Sequence, residues 1–259
     1  MTARLGKTLS SLAAVLLTAA CTSYYEIPIE TPIRPKLDVS AFNRVLVAGF
    51  ISGGTEDVDG NVETTRLLRS QLRTKSDLRV IDADVLPLME VVSDQRAESQ
   101  TEGAGSSAAT QASLAPIKDE KDLEPYERLF ANVEYWKKIG EEYQQPLIVT
   151  GTVMFTPHQR NNFVQREQEV YDSFGRRRVV PVRTYVERKG YILRPKFIFI
   201  DGRTGTVMHS ENFREEVLYN ANQTTPALSS YFELMDRLIP SFLSTLSSQK
   251  IKGTRVLLQ

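Results

Sequence analysis

Apolar residues recur along this chain at two spacings, and the switches between them mark out its elements. Arg44-Val-Leu-Val-Ala-Gly-Phe50 is a short apolar run bounded by turn residues, the pattern of a buried strand. Ser52-Gly53-Gly54 breaks it, and a helix is predicted from Val62 with Leu68 and Leu72 on one face and Asn61 suited to its N-cap. Leu78–Asp82 reads as a second strand, and Ala83–Glu98 as a helix whose start Pro87 limits. Lys121–Tyr143 places Tyr126, Leu129, Phe130, Val133, Trp136 and Tyr143 near helical spacing, with Trp136 expected in the core. Pro146–Phe155 is a third strand. Gln159–Lys189 then reads as a long hairpin, with arms Phe163–Asp172 and Arg177–Glu187 around a Ser173-Phe174-Gly175 turn. Tyr191–Asp201 and Thr206–Leu218 are further strands, joined by the turn Gly202-Arg-Thr-Gly205. Thr225–Ser247 carries an apolar stripe from Leu228 to Leu246, the mark of a helix packed on a core, with Pro240 expected to kink it.

This order predicts an α/β (α+β) fold: a mixed sheet flanked by helices in a three-layer-like arrangement, with a long protruding β-hairpin. Residues 44–259 are expected to form one domain, with a flexible loop over residues 95–116 and the hairpin over residues 159–189. The loop is rich in Ser, Ala, Gly, Thr and Gln and nearly lacks large apolar residues, so it cannot bury enough surface to order itself. Residues 21–43 read as a tether. Ile27, Ile29 and Ile33 alternate there with polar residues and prolines, which suits either a spacer or a segment lying along a sheet edge or a neighbouring protein. Arg255–Leu258 reads as a short terminal strand or a docking tail.

Ahead of the tether, Arg4 and Lys7 precede the apolar run Leu12–Leu17 and the small residues Thr18, Ala19 and Ala20. A basic start, a short apolar core and a small-residue cleavage point make residues 1–20 a secretory signal peptide. The run is too short to span a bilayer, which takes roughly 20 apolar residues. The ending Leu17-Thr-Ala-Ala-Cys21 resembles the lipobox of bacterial lipoproteins. That resemblance implies cleavage before Cys21 and acylation of the Cys21 thiol and amino group, which gives a membrane anchor. Thr22 in place of an aspartate favours, by the same resemblance, the outer membrane; the expectation is an outer-membrane lipoprotein facing the periplasm, with the inner membrane and the cell surface as alternatives.

Charge balances at 32 basic against 32 acidic residues, so the chain has no nucleic-acid footprint. Cys21 is its one cysteine, which rules out an intrachain disulfide or a thiolate cluster. His158 and His209 lack a partner at metal-ligand spacing. The acidic loop at Asp57, Asp59 and Asn61 has Gly60 in the wrong place for a calcium loop and lacks its distal glutamate. No nucleophile elbow or phosphate loop is present. The expectation is therefore a non-enzymatic protein with no cofactor, no metal site and no catalytic residue.

The hairpin carries the most lopsided charge. Arg176, Arg177, Arg178, Arg183, Arg188 and Lys189 stand against Glu187 in its second arm. They form either a cationic partner-binding finger or a solvated surface paired with Glu167, Glu169 and Asp172 across the ladder.

Taken in order, the lipobox at Cys21, the strand Val45–Phe50, the strand Leu78–Asp82, Ile148-Val-Thr-Gly-Thr-Val153 and Phe197-Ile-Phe-Ile-Asp201 with Gly202-Arg-Thr-Gly205 resemble two related groups. These are the curli-secretion (CsgG) lipoproteins and the LpoB-type lipoproteins that activate cell-wall synthases. The resemblance implies an α/β envelope lipoprotein acting as an accessory or assembly factor. Its partners would be membrane lipid, through acylated Cys21, and an envelope protein, with self-association as a variant. The alternative it implies is a subunit of an outer-membrane secretion channel whose hairpins build a barrel. The arm holding Arg166, Glu167 and Glu169 argues against that channel, since a charge facing lipid costs about 2–4 kcal/mol at the bilayer midplane.

Overall fold

A computed structural model describes residues 24–93, 117–171, 173–220 and 222–258. Cys21, the signal segment, the 95–116 loop, the end of the helix expected to reach Glu98, and Asp172, one of the expected partners of the hairpin arginines, lie outside these. The described chain forms two compact units, Lys36–Ser247 and a strand pair drawn from the two ends of the chain.

The larger unit is built on a mixed sheet of β2 (Arg44–Gly54), β3 (Arg79–Val80), β4 (Leu147–Tyr171), β5 (Arg177–Asp201), β6 (Val207–Asn212) and β7 (Glu215–Asn220). Its order is β3-β2-β4-β5-β6, and β7 also pairs with β5. β2 runs parallel to β3 and β4, whereas β5, β6 and β7 join antiparallel. The central strands are apolar on both faces because helices cover both. Val45, Val47, Leu147 and Val149 face one core, packed by α1 (Gly60–Lys75) and α4 (Ala227–Leu246). Leu46, Ala48 and Ile148 face a second core. That core is closed by helical residues 88–93, a 3-10 turn over Glu120–Tyr126, α2 (Glu127–Phe130) and α3 (Val133–Glu142). The predicted mixed sheet flanked by helices is what forms. Among the described residues no helix is long and apolar enough to cross a membrane.

Several local expectations shift. Asp59, not Asn61, caps α1, accepting from the backbone N–H groups of Asn61 and Val62. Asn61 instead accepts the Phe50 N–H at 2.7 Å, tying the helix start to β2. The expected Leu78–Asp82 strand is shorter, an edge strand over Arg79–Val80, after which the Ile81 N–H still donates to the Val45 carbonyl at 2.9 Å. The expected helix from Ala83 starts after Pro87. The single helix over Lys121–Tyr143 is three pieces. Pro125 sits in the tighter 3-10 turn, and Asn132 restarts the chain by capping α3 through the Tyr135 N–H. Trp136 is fully buried and donates its indole N–H to the Leu129 carbonyl across that break. The strand expected over Thr206–Leu218 divides into β6 and β7, which bond to successive stretches of β5.

The second unit pairs β1 (Tyr24–Ile33) antiparallel with β8 (Gln249–Leu258) in an unbroken register from Tyr24↔Leu258 to Ile33↔Gln249. The extended segment read as a tether is thus one arm of a ribbon, and the chain's end is the other.

Candidate functional site

The hairpin over residues 159–189 is not a separate element. β4 and β5 each run for 25 residues without interruption, and their register holds from Leu147↔Asp201 to Tyr171↔Arg177. The inner part of each strand is core, and the outer part is a two-stranded ribbon continuing the same pleat. β2 leaves β4 at Phe155, and β7 leaves β5 at Arg188. Beyond those points no described side chain of the ribbon is buried.

Register decides what the ribbon presents, because residues directly opposite each other share a face and successive residues alternate. Odd-numbered positions continue the face of Phe155, Leu193 and Phe197, and even-numbered ones that of Met154, Ile198 and Ile200. The odd face carries Glu167, Glu169 and Glu187 together with Arg177, Arg183 and Lys189. Arg177 pairs with Glu169, and Lys189 lies 3.3 Å from Glu187, which also accepts from Gln159 at 2.6 Å. Phe163 and Tyr185 sit directly opposite each other there, with ring centroids 5.5 Å apart, and Phe163 is 74% exposed.

The even face differs in kind. From His158 to Val170 and from Arg178 to Gly190 it holds Arg160, Arg166, Arg178 and Arg188, with Val164, Val170, Val180, Val182 and Val186, and no carboxylate. Arg160 stands directly opposite Arg188. Like charges at that spacing oppose pairing. Among the described residues, none of these four arginines has a carboxylate within ion-pair range. His158, where this face meets the body, has its Nε2 3.5 Å from Glu216.

The six cations singled out in the sequence therefore divide. Arg177, Arg183 and Lys189 lie on the charge-balanced face. Arg178 and Arg188 lie on the cationic one, and Arg176 precedes β5 with its guanidinium 5.4 Å from the Phe174 ring centroid. Arg160 and Arg166 complete the cationic face from the first arm and were missed. The alternation that places them is visible in the sequence, but the register joining the two arms is not.

Elsewhere the polar groups hold the fold together. Glu211 accepts from Lys36 and from Thr245 at 3.0 Å, with His209 at 3.6 Å. Burial alone would raise its carboxyl, but the hydrogen bonds from Lys36 and Thr245 outweigh it and hold it below the usual range. Tyr231 is wholly buried, bonded to Thr64 and 3.3 Å from the Gly60 carbonyl, and burial pushes its phenol far above the usual range. A cleft of about 390 Å³ beside β5 is lined by Glu120, Glu127, Arg194, Lys196 and Arg214, and its Lys196–Glu127 and Arg194–Glu120 pairs satisfy one another. No group of three or more potential metal ligands occurs among the described residues.

No protein-family model and no curated protein matches this chain. Among solved structures it is similar to lipoprotein GNA1162 from Neisseria meningitidis, at 12% identity over 79% of this chain and 99% of that one, with a TM-score of 0.32. It is also similar to a neuraminyllactose-binding hemagglutinin homolog from Helicobacter pylori, at 10% identity over 84% and 88%, with a TM-score of 0.29. Scores this low transfer neither a fold nor an activity.

Proposed function

We propose that this chain is a non-enzymatic envelope lipoprotein, held to a membrane by acylated Cys21, whose hairpin docks an acidic envelope partner through its even face. The observation that carries the reading is the sorting of charge by register. One face carries three carboxylates against three cations, with two ion pairs formed, while the other, among the described residues, collects four arginines and five valines with no acid. Among the described residues the arginines of that face make no ion pair, and Arg160 opposite Arg188 costs repulsion. A two-stranded ribbon is marginal in water by itself, so an uncovered one of this length fits a surface kept for a partner. Cations among apolar residues suit a partner that offers carboxylates or phosphates beside apolar area. The signal segment and the lipobox-like ending at Cys21 support the anchor. The secretion-channel alternative fares worse, because Arg166 lies opposite Val182 in the middle of the more apolar face.

A photoreactive residue placed at Val182 or Thr184, on the arginine face, is expected to capture a discrete envelope protein in intact cells. The same residue at Arg183 or Glu187 should capture far less. Equal capture from both faces would remove the reading. Recovery of a closed ring of many copies would replace it with the channel.

A further inference from the structure

We infer that the β1–β8 ribbon is an amphipathic membrane-surface element whose isoleucine face lies on the bilayer that anchors the chain. The inference rests on the anchor reading at Cys21. The same parity rule that sorts the hairpin sorts this ribbon. Ile27, Ile29, Ile33 and Ile251 fall on one face, and Ile29 stands opposite Gly253, where no neighbour approaches. The other face carries Glu26, Pro28, Glu30 and Pro32 with Lys250, Lys252 and Thr254, and one exposed apolar residue, Val256, opposite Glu26. Lys250 and Lys252 reach Glu30 at 3.3 and 3.7 Å. All four isoleucines are left 38–57% exposed.

Position along the chain says what covers them. The ladder starts at Tyr24, three residues after Cys21, and three residues extend by at most about 11 Å. An acylated Cys21 therefore holds the Tyr24 end of the ribbon within about 11 Å of the lipidated residue, whatever partner the rest of the chain meets. The four isoleucines span most of the strand's length, so the ribbon buries them by lying flat. Arg255, on the isoleucine face opposite Ile27, extends its stem along the apolar surface and reaches a headgroup phosphate. A second copy is a poorer occupant. Four half-exposed isoleucines fall well short of the roughly 1,000 Å² that a specific protein interface buries. Pro28 and Pro32 lack the N–H donors that a third strand would need.

Acylation occupies the native thiol, so a cysteine introduced into the lipidated full chain is its only free one. Ile29→Cys, Ile251→Cys, Lys252→Cys and Thr254→Cys would each be labelled with an environment-sensitive fluorophore. The proteins would be reconstituted in phosphatidylethanolamine–phosphatidylglycerol vesicles containing nitroxide-labelled lipid. Labels at 29 and 251 are expected to shift to the blue and lose fluorescence to the nitroxide, and labels at 252 and 254 to do neither. Equal quenching at all four sites, or no quenching at any, overturns the inference while leaving the anchor standing. So does shielding at 29 and 251 that depends on protein density rather than on lipid, which would mean a second copy. The mass of the Cys21 peptide is measured first. An unmodified Cys21 defeats both the anchor and this inference.

Discussion

Tyr231 shows how a single buried polar atom is made tolerable. Thr64 donates to the Gly60 carbonyl at 2.5 Å and keeps its oxygen free to meet the Tyr231 hydroxyl. The phenol can therefore be wholly buried while linking α4 to the first turn of α1. Tyr231→Phe leaves the Thr64–Gly60 bond in place and removes only the linking hydroxyl, so about 1–2 kcal/mol of stability should be lost. Thermal unfolding of the variant should then fall by roughly 2–8 °C. Gly151 is less forgiving. Its φ is +146°, and a Cβ would meet the Lys196 carbonyl oxygen at 1.8 Å, backbone against backbone in the central strand pair. Gly151→Ala should lose several times as much as Tyr231→Phe in chemical denaturation. Glu211 makes the body acid-sensitive. Its folded-state pKa lies below the ordinary value near 4.5, so the unfolded chain takes up the proton first. The stabilisation is complete above that ordinary value and is lost as pH falls through the folded one. Glu211→Gln should therefore flatten the loss of stability below pH 4.5, measured by denaturant titration at several pH values.

At the scale of elements, legibility followed how local each determinant is. β2, the inner part of β4, the inner part of β5 and α4 announce themselves because their burial pattern is written in consecutive residues. The break at Ala131–Asn132 was hidden because Tyr126, Leu129, Phe130, Val133 and Trp136 keep helical spacing across it, while the Asn132 cap competes through one side chain. The hairpin's position and its basic second arm were readable. Which cations share a face was not, because that depends on a register between arms that only the folded ladder fixes. The same ladder makes the hairpin dispensable for folding. The described residues of 159–189 contribute no buried side chain, and both cores lie at the inner ends of β4 and β5. Replacing Gln159–Lys189 with a two-residue turn should leave a cooperative calorimetric transition within a few degrees of the parent. A body that no longer unfolded as one unit would show that the ribbon carries stability.

On the scale of the whole molecule, the proposed function puts the attachment at Cys21, and the structure offers two ribbons with different exposed surfaces. One follows Cys21 directly and is apolar with a charged back. The other extends from the core sheet and is cationic on one face. This division predicts separable losses. If Cys21 carries the proposed anchor, Cys21→Ser removes the acyl chains, and four isoleucines replace little of their hold, because several acyl chains anchor stably where a small apolar contact is marginal. The variant should accumulate outside the membrane fraction with its thermal transition unchanged, since no core residue is touched. Reversing charge at Arg160, Arg166, Arg178 and Arg188 together should do the opposite. The protein should stay with the membrane and stay folded, and a separate variant that reverses Arg160 alone, making it and Arg188 an opposite-charge pair, should gain slightly in stability. Crosslinking from Val182 should nonetheless fall away. Fractionation, calorimetry and crosslinking on the same variants read the three properties independently. If Cys21→Ser also abolished hairpin crosslinking after the soluble protein was returned to partner-containing membranes, the hairpin would lack affinity of its own, and the anchor would be the sole source of association.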